Sequence, residues 1–215
     1  MIVPDSYTEN LSEPVRRLFF KWRQFMYSSV KYNRPDSLIH GMGHYERVLL
    51  YALMVAEKEL PGDEEAMEIL AHAAVWHDSR RLDEYLDTGH GARAAVYYHE
   101  YCSVNLEFKC HPEVEDIMRY HDIDDRIGNE RIQRDFGDRA EYVKKLYHIF
   151  KDADALDRWR LGDTGLDPKF LRTDTARNLT SFSRKLVLDT MDSDFLEEIS
   201  EEVRRTQKEN KWKGC

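Results

Sequence analysis

The sequence predicts an all-α fold, and three observations carry that prediction. Apolar residues return at helical intervals along the chain: Val15, Leu18 and Trp22, then Val48, Tyr51, Ala52 and Val55, then Met67, Leu70, Ala74 and Val75. No segment shows the β-branched alternation of a half-buried strand. Turn formers at Asn33-Arg34-Pro35-Asp36, Pro61-Gly62-Asp63, Asp87-Thr88-Gly89, Cys110-His111-Pro112 and Gly162-Asp163-Thr164-Gly165 cut the chain into pieces of about 10 to 20 residues, a normal length for globular helices.

The elements follow in order. The Val15 stripe forms the first helix, which the Asn33–Asp36 turn closes. Val48 to Val55 form a second, ended by Pro61-Gly62. Asp63 is placed to cap the third, with Glu64 and Glu65 at the positive end of its dipole. Pro112, followed by Glu113 and Glu115, opens a later helix in the same manner. From about Asp192 through RRTQKENKWKGC the pattern is an amphipathic helix fraying into a charged tail. At 215 residues, one domain spanning 1–215 suffices, with 192–215 as its C-terminal helix and tail.

Composition narrows the function. Hydrophobic residues at 41% favour a folded globule, and a net charge of −9 disfavours binding duplex nucleic acid through a broad basic face. No run approaches the about 18 apolar residues of a membrane span, and the N-terminus lacks a basic segment leading into an apolar one, so a cytoplasmic protein is expected. Cys102, Cys110 and Cys215 lack C-x-x-C spacing, so reduced thiols are expected, with neither a disulfide framework nor a thiolate metal site.

The histidines point to chemistry. In HGMGHYERV, His40 and His44 stand four apart, and His44 projects from the start of a core helix. In AHAAVWHDSRRLDE, His77 and Asp78 end an apolar helix; neighbours about 100° apart grip one ion only where the last turn opens. In YHIFKDADALDRWR, Asp152, Asp154 and Asp157 cannot all be buried without partners, so at least one is expected to meet a cation. Two imidazoles and two carboxylates suit a divalent ion such as manganese, iron, zinc, nickel, cobalt or magnesium. His90 and His121 are placed to add ligands for a second ion or to aim a donor at a substrate.

The combination of H-x-x-R-V, His-Asp after an apolar helix, and K-x-A-D-x-L-D resembles the HD-domain superfamily of metal-dependent phosphohydrolases, from about His40 to Arg172. The resemblance implies an HD-type helical bundle in which His44, His77, Asp78 and Asp154 ligate metal. It further implies a small-protein subgroup pattern of Arg81 and a D-x-x-H-G turn at Asp87 and His90-Gly91, with His90 and His121 serving a second metal in binuclear members. Arg81 stands where HD nucleotidases tend to carry a glutamate, which speaks against a simple nucleotidase. Without the long synthetase domain of stringent-response enzymes in this sequence, a bifunctional alarmone enzyme is not expected, while hydrolase-only relatives stay open.

The expected activity is hydrolysis of a small phosphorylated metabolite or nucleotide by water activated at one or two ions, with Arg81 and Lys151 offsetting phosphoryl charge. Two alternatives stand beside it: an HD-fold di-iron oxygenase using the same six ligands, and a non-catalytic module that senses a nucleotide. Neither a membrane nor duplex nucleic acid is an expected partner, and a homodimer stays open. His40 is expected beside the ligands. His72, His99, His111 and His148 are read as surface or core, and Arg80 as a surface residue.

Overall fold

In a computed structural model of the chain, which describes residues 2–85 and 87–212, regular structure is helical throughout and no strand occurs among those residues. Helix α1 (Glu13–Ser29) starts where Ser12 caps the Val15 amide and Pro14 occupies the first turn. Helix α2 (Met42–Glu59) starts after a tight turn at Gly41, where a Cβ would lie 2.2 Å from the Ser37 carbonyl oxygen and 2.5 Å from that of Pro35. Only glycine admits that approach. Helix α3 (Glu64–Trp76) is capped by Asp63, whose carboxylate accepts from the Ala66 amide, as the sequence predicts.

Helices α4 (His90–Val104), α5 (Pro112–Tyr120), α6 (Asp125–Phe136) and α7 (Ala140–Leu156) follow, then short α8 (Asp174–Asn178), α9 (Thr180–Thr190) and α10 (Ser193–Trp212). The expected C-terminal helix is thus present, while the end of the tail, from 213, lies outside the described residues.

One connected cluster of buried side chains runs through the molecule, and every residue of the predicted stripes on α1, α2 and α3 belongs to it. Helices α2 and α3 lie at its centre, with α2 packed on both α3 and α7. Alanines at 71, 73 and 74 keep α3 thin, so its neighbours approach closely, and burial of residues such as Leu49, Leu50 and Leu70 contributes roughly 1.5–3 kcal/mol each. The ends of α3 and α7 and the start of α2 are thereby fixed relative to one another. No described helix is long and apolar enough to cross a membrane.

One expectation is overturned. Cys102 and Cys110 form a disulfide. The search for C-x-x-C spacing passed over a pair eight residues apart; the chain reverses between α4 and α5 and brings their Cα atoms to 6.0 Å, within bridging range. Cys215 lies outside the described residues.

Candidate metal centre

Three helix ends and two helix starts converge on a buried cluster. His44 comes from the first turn of α2, His77 and Asp78 follow the last residue of α3, His90 opens α4, His121 follows α5, and Asp154 sits in the last turn of α7. The opening of the helix that the sequence required at His77 is present: the Ser79 amide bonds the Trp76 carbonyl and the Arg81 amide that of Asp78, tightening the chain into turns.

The imidazoles are set by what their Nδ1 atoms meet. His77 Nδ1 is 3.0 Å from the Ala74 carbonyl oxygen, His90 Nδ1 is 2.7 Å from that of Asp87, and His121 Nδ1 is 2.7 Å from that of Met118. A carbonyl oxygen only accepts, so in each ring Nδ1 carries a proton and donates. His44 Nδ1 donates in the same way to Asp157 Oδ2, at 2.8 Å. Burial keeps His44 and His77 neutral, so their Nε2 atoms are bare, whereas Asp78 raises His121, whose Nε2 is bared when a cation takes the place of its second proton.

The four Nε2 atoms face one another in pairs. His44 Nε2 and His77 Nε2 are 3.1 Å apart, and His90 Nε2 and His121 Nε2 are 2.9 Å apart. Two lone pairs at that distance repel unless a cation lies between them. Ions bound through nitrogen at about 2.0–2.1 Å hold two such ligands roughly 3 Å apart, so both spacings fit.

Asp78 stands between the pairs. Its Oδ1 is 2.9 Å from His90 Nε2 and 3.5 Å from His121 Nε2, while Oδ2 is 3.7 Å from His44 Nε2 and 3.1 Å from His40 Nδ1. Although Oδ1 is buried and close to an imidazole, it makes no hydrogen bond with acceptable geometry among the described residues. Asp154 Oδ1 lies 3.5 Å from His44 Nε2. The sets His44–His77–Asp154, His77–Asp78–His121 and His40–His44–Asp78 each bring three donor atoms close enough to hold an ion.

Electrostatics favour the same end. Burial holds His77 down at about 3 and His40 at about 4, so both rings are neutral at pH 7 and free to ligate or to orient a ligand. Burial alone would raise Asp78, but the imidazoles gathered around it, His77 first and then His121, His40 and His90, outweigh it and keep it well below the carboxylate range. Asp154, also raised by burial, is pulled down further by His44 and Arg160 and is ionised.

The three aspartates of KDADALD are sorted by their partners. Asp152 is fully buried and accepts from the amides of Arg172 and Thr173 and from the Thr173 hydroxyl, which fastens the 171–173 segment. Asp157, also fully buried, receives Arg47 Nε at 2.6 Å and Nη2 at 3.0 Å together with His44. Of the three, Asp154 lies on the Nε2 side of the histidines, so the cation expected for at least one of these carboxylates is Arg47 at Asp157 and Arg172 at Asp152.

Above the cluster opens a cavity of about 470 Å³, walled in part by Arg81, Arg158, Arg160 and His40. A second chamber, of about 510 Å³, shares His121, Asp154 and Arg158 with it and is lined beyond them by Lys151, Phe170 and Arg172. Arg81 is buried and does not pair with Asp83, Glu84 or Asp87: its Nη1 lies 3.2 Å from His90 Nδ1 and 3.7 Å from Asp78 Oδ2, and its Nη2 donates to the Tyr85 carbonyl. Lys151 reaches the second chamber's wall but is engaged with Asp125 at 2.6 Å and the Ile123 carbonyl at 2.7 Å. Arg80 points away, its guanidinium over the Tyr97 ring.

The remaining histidines lie apart from the cluster. His72 bonds the Tyr98 hydroxyl in the core, His99 pairs with Glu115 on the surface, and His111 precedes α5. Sequence reasoning flagged Asp157 without assigning it a partner or a role, and it passed over Arg47 and Arg160. The signal for Asp157 and Arg47 was present: H-x-x-R on one helix and D-x-L-D on another leave a buried carboxylate and a buried guanidinium that need partners.

No family model matches the chain, and no curated protein or solved structure matches it either. What the chain contains is a buried histidine–aspartate cluster able to hold metal.

Proposed function

We propose that the chain is an HD-type, metal-dependent phosphohydrolase acting on a small phosphorylated metabolite or nucleotide. The observation that carries this reading is the two facing imidazole couples on either side of Asp78, each ring donating through Nδ1 and turning Nε2 inward, at the floor of a cavity walled by guanidinium groups. His44, His77, Asp78 and Asp154 would hold one divalent ion and His90, His121 and Asp78 a second. Bound there, a divalent ion acidifies water and polarises a phosphoryl oxygen.

The chain's own part is organisation. Asp157 and three backbone carbonyls keep the Nδ1 protons in place and so aim every Nε2 inward. His40, neutral at pH 7, donates to Asp78 and steadies its second oxygen. Arg81, Arg158 and Arg160 set positive charge along the cavity, which suits a phosphate ester and offsets charge that builds on its oxygens in the transition state.

The placement of Asp78 between two histidine pairs also supports the oxygenase alternative, because that ligand order serves di-iron chemistry equally well. Manganese-loaded protein, screened anaerobically against a panel of phosphomonoesters and nucleotides, separates the two. Phosphate release that disappears in His77→Ala is expected. A folded, metal-loaded protein that releases no phosphate from any ester yet consumes oxygen when loaded with iron would overturn the hydrolase reading.

A further inference from the structure

Arg160 is an unusual arginine. It is 4% exposed, yet its Nε and Nη1 atoms have no hydrogen-bond partner among the described residues. The nearest carboxylate, Asp157, lies 3.7 Å from Nη1 and is already occupied by the fork of Arg47 and by His44. A buried guanidinium with two unpartnered nitrogens is destabilising, so a fold that keeps one has a use for its charge.

Its position indicates the use. Arg160 sits in the 3₁₀ turn at 157–161 that continues directly from α7, the helix that presents Asp154. Gly162, with φ at 96°, turns the chain away immediately afterwards. The side chain lines the cavity above the histidine cluster, and it feels the charges of Asp157, Asp154 and Asp78 without bonding to the last two. With ions bound at those aspartates, the carboxylate charge that now balances Arg160 is shared out, and the cavity floor becomes strongly positive. An anion with several acceptor oxygens is what such a floor lacks.

We propose that Arg160 is the phosphate-binding arginine of this cleft, taking oxygens of the anion seated over the metal centre, with Arg158 assisting from the rim. Arg158 is exposed, is held by its Nε to the Gly165 carbonyl at 2.9 Å, and lines both chambers, so its guanidinium stands at the wall they share. A planar fork suits phosphate better than a lysine would. The assignment rests on the phosphohydrolase reading of the same site, and it differs from the sequence-based expectation, which gave the role to Arg81 and Lys151. Lys151 is held by Asp125 and the Ile123 carbonyl, and Arg81 donates to the Tyr85 carbonyl, which leaves Arg81 one buried unpartnered atom, Nε, against two in Arg160 among the described residues.

The test uses inorganic phosphate as the probe, titrated by calorimetry into manganese-loaded wild type, Arg160→Met, Arg160→Lys and Arg158→Met, with the manganese content of each measured alongside. Arg160→Met should bind phosphate about tenfold or more weakly while retaining its manganese, since bonds from a charged donor are worth roughly 1.5–3 kcal/mol. Arg160→Lys should recover part of the loss, and Arg158→Met should lose less than Arg160→Met. Should Arg160→Met not fold, the lysine variant decides, because it keeps the charge and loses the fork. Unchanged phosphate affinity in Arg160→Met, or in the lysine variant when it alone folds, overturns the assignment. So does loss of manganese together with phosphate, or a wild type that does not bind phosphate. Phosphate binding that depends on Arg160, in a protein that hydrolyses no ester, would sink the hydrolase reading and leave this one standing. Turnover combined with phosphate affinity indifferent to Arg160 would do the reverse.

Discussion

Asp157→Asn isolates the part of the centre that neither faces the cavity nor belongs to the expected ligand set. Asp157 is fully buried and accepts three bonds, from Arg47 Nε at 2.6 Å, Arg47 Nη2 at 3.0 Å and His44 Nδ1 at 2.8 Å. An asparagine of the same shape offers one acceptor oxygen and one NH₂ group. If the NH₂ takes the Oδ1 position it confronts Arg47 Nε; if it takes the Oδ2 position it confronts both Arg47 Nη2 and His44 Nδ1. Either way Arg47, itself 1% exposed, keeps its charge without a counter-ion.

Breaking a buried ion pair from one side costs about 3–5 kcal/mol. For a chain of this size each kcal/mol lowers Tm by about 2–4 °C, so a fall on the order of 6–20 °C is expected. His44 loses the bond that fixes its tautomer, and metal affinity should drop by about 10- to 100-fold. Thermal denaturation of the metal-free protein reads the first effect, and competition with a chelator reads the second. A Tm within a degree or two of wild type, with unchanged metal retention, would refute the argument that Asp157 both neutralises Arg47 and orients His44.

Three further outcomes follow from the same geometry. In metal-free protein, His77 and His40 take up protons on unfolding but not in the folded state between pH 6.5 and about 3 or 4. Their contribution is present above pH 6.5 and is lost as the pH falls through that window, by up to about 1.4 kcal/mol per pH unit for each ring, and urea denaturation at stepped pH should show this decline. A flat profile from pH 7 to 4.5 would count against neutral buried rings. Gly91→Ala should dislodge His121, because the new Cβ would lie 2.1 Å from the Met118 carbonyl and 2.7 Å from His121 Nδ1; metal content should fall selectively at the His90–His121 pair, and unchanged content would contradict this. Replacing Cys102 and Cys110 by alanine should lower stability by about 2–3 kcal/mol, the worth of closing so short a loop; equal denaturation midpoints with and without reductant in the wild type would argue that the bridge does not form.

The helical order was legible because it rests on local rules. Asp63 caps α3 and Pro112 opens α5 through bonds within three residues, and the stripes on α1 to α3 are set by a period of 3.6. His44, His77, Asp78 and Asp154 were legible because each sits at a helix boundary next to apolar residues, where a polar group needs a reason. For Asp157 and Arg47 the sequence shows only two buried charges in need of partners; that they meet each other, 110 residues apart, depends on how α2 packs against α7. Arg160 was hidden for a similar cause: in DRWRL it looks like one of several surface arginines, and only the 3₁₀ turn carries it beneath the cavity. The disulfide was missed because its spacing depends on the length of the α4–α5 turn rather than on a short motif.

Metal content per chain, measured by mass spectrometry on protein purified without chelator, tests the central claim most directly. The account predicts a divalent ion for each of the two histidine pairs, His44–His77 and His90–His121, with the first lost in His77→Ala. Protein that purifies without metal and takes up none on incubation with manganese, iron or zinc would contradict it.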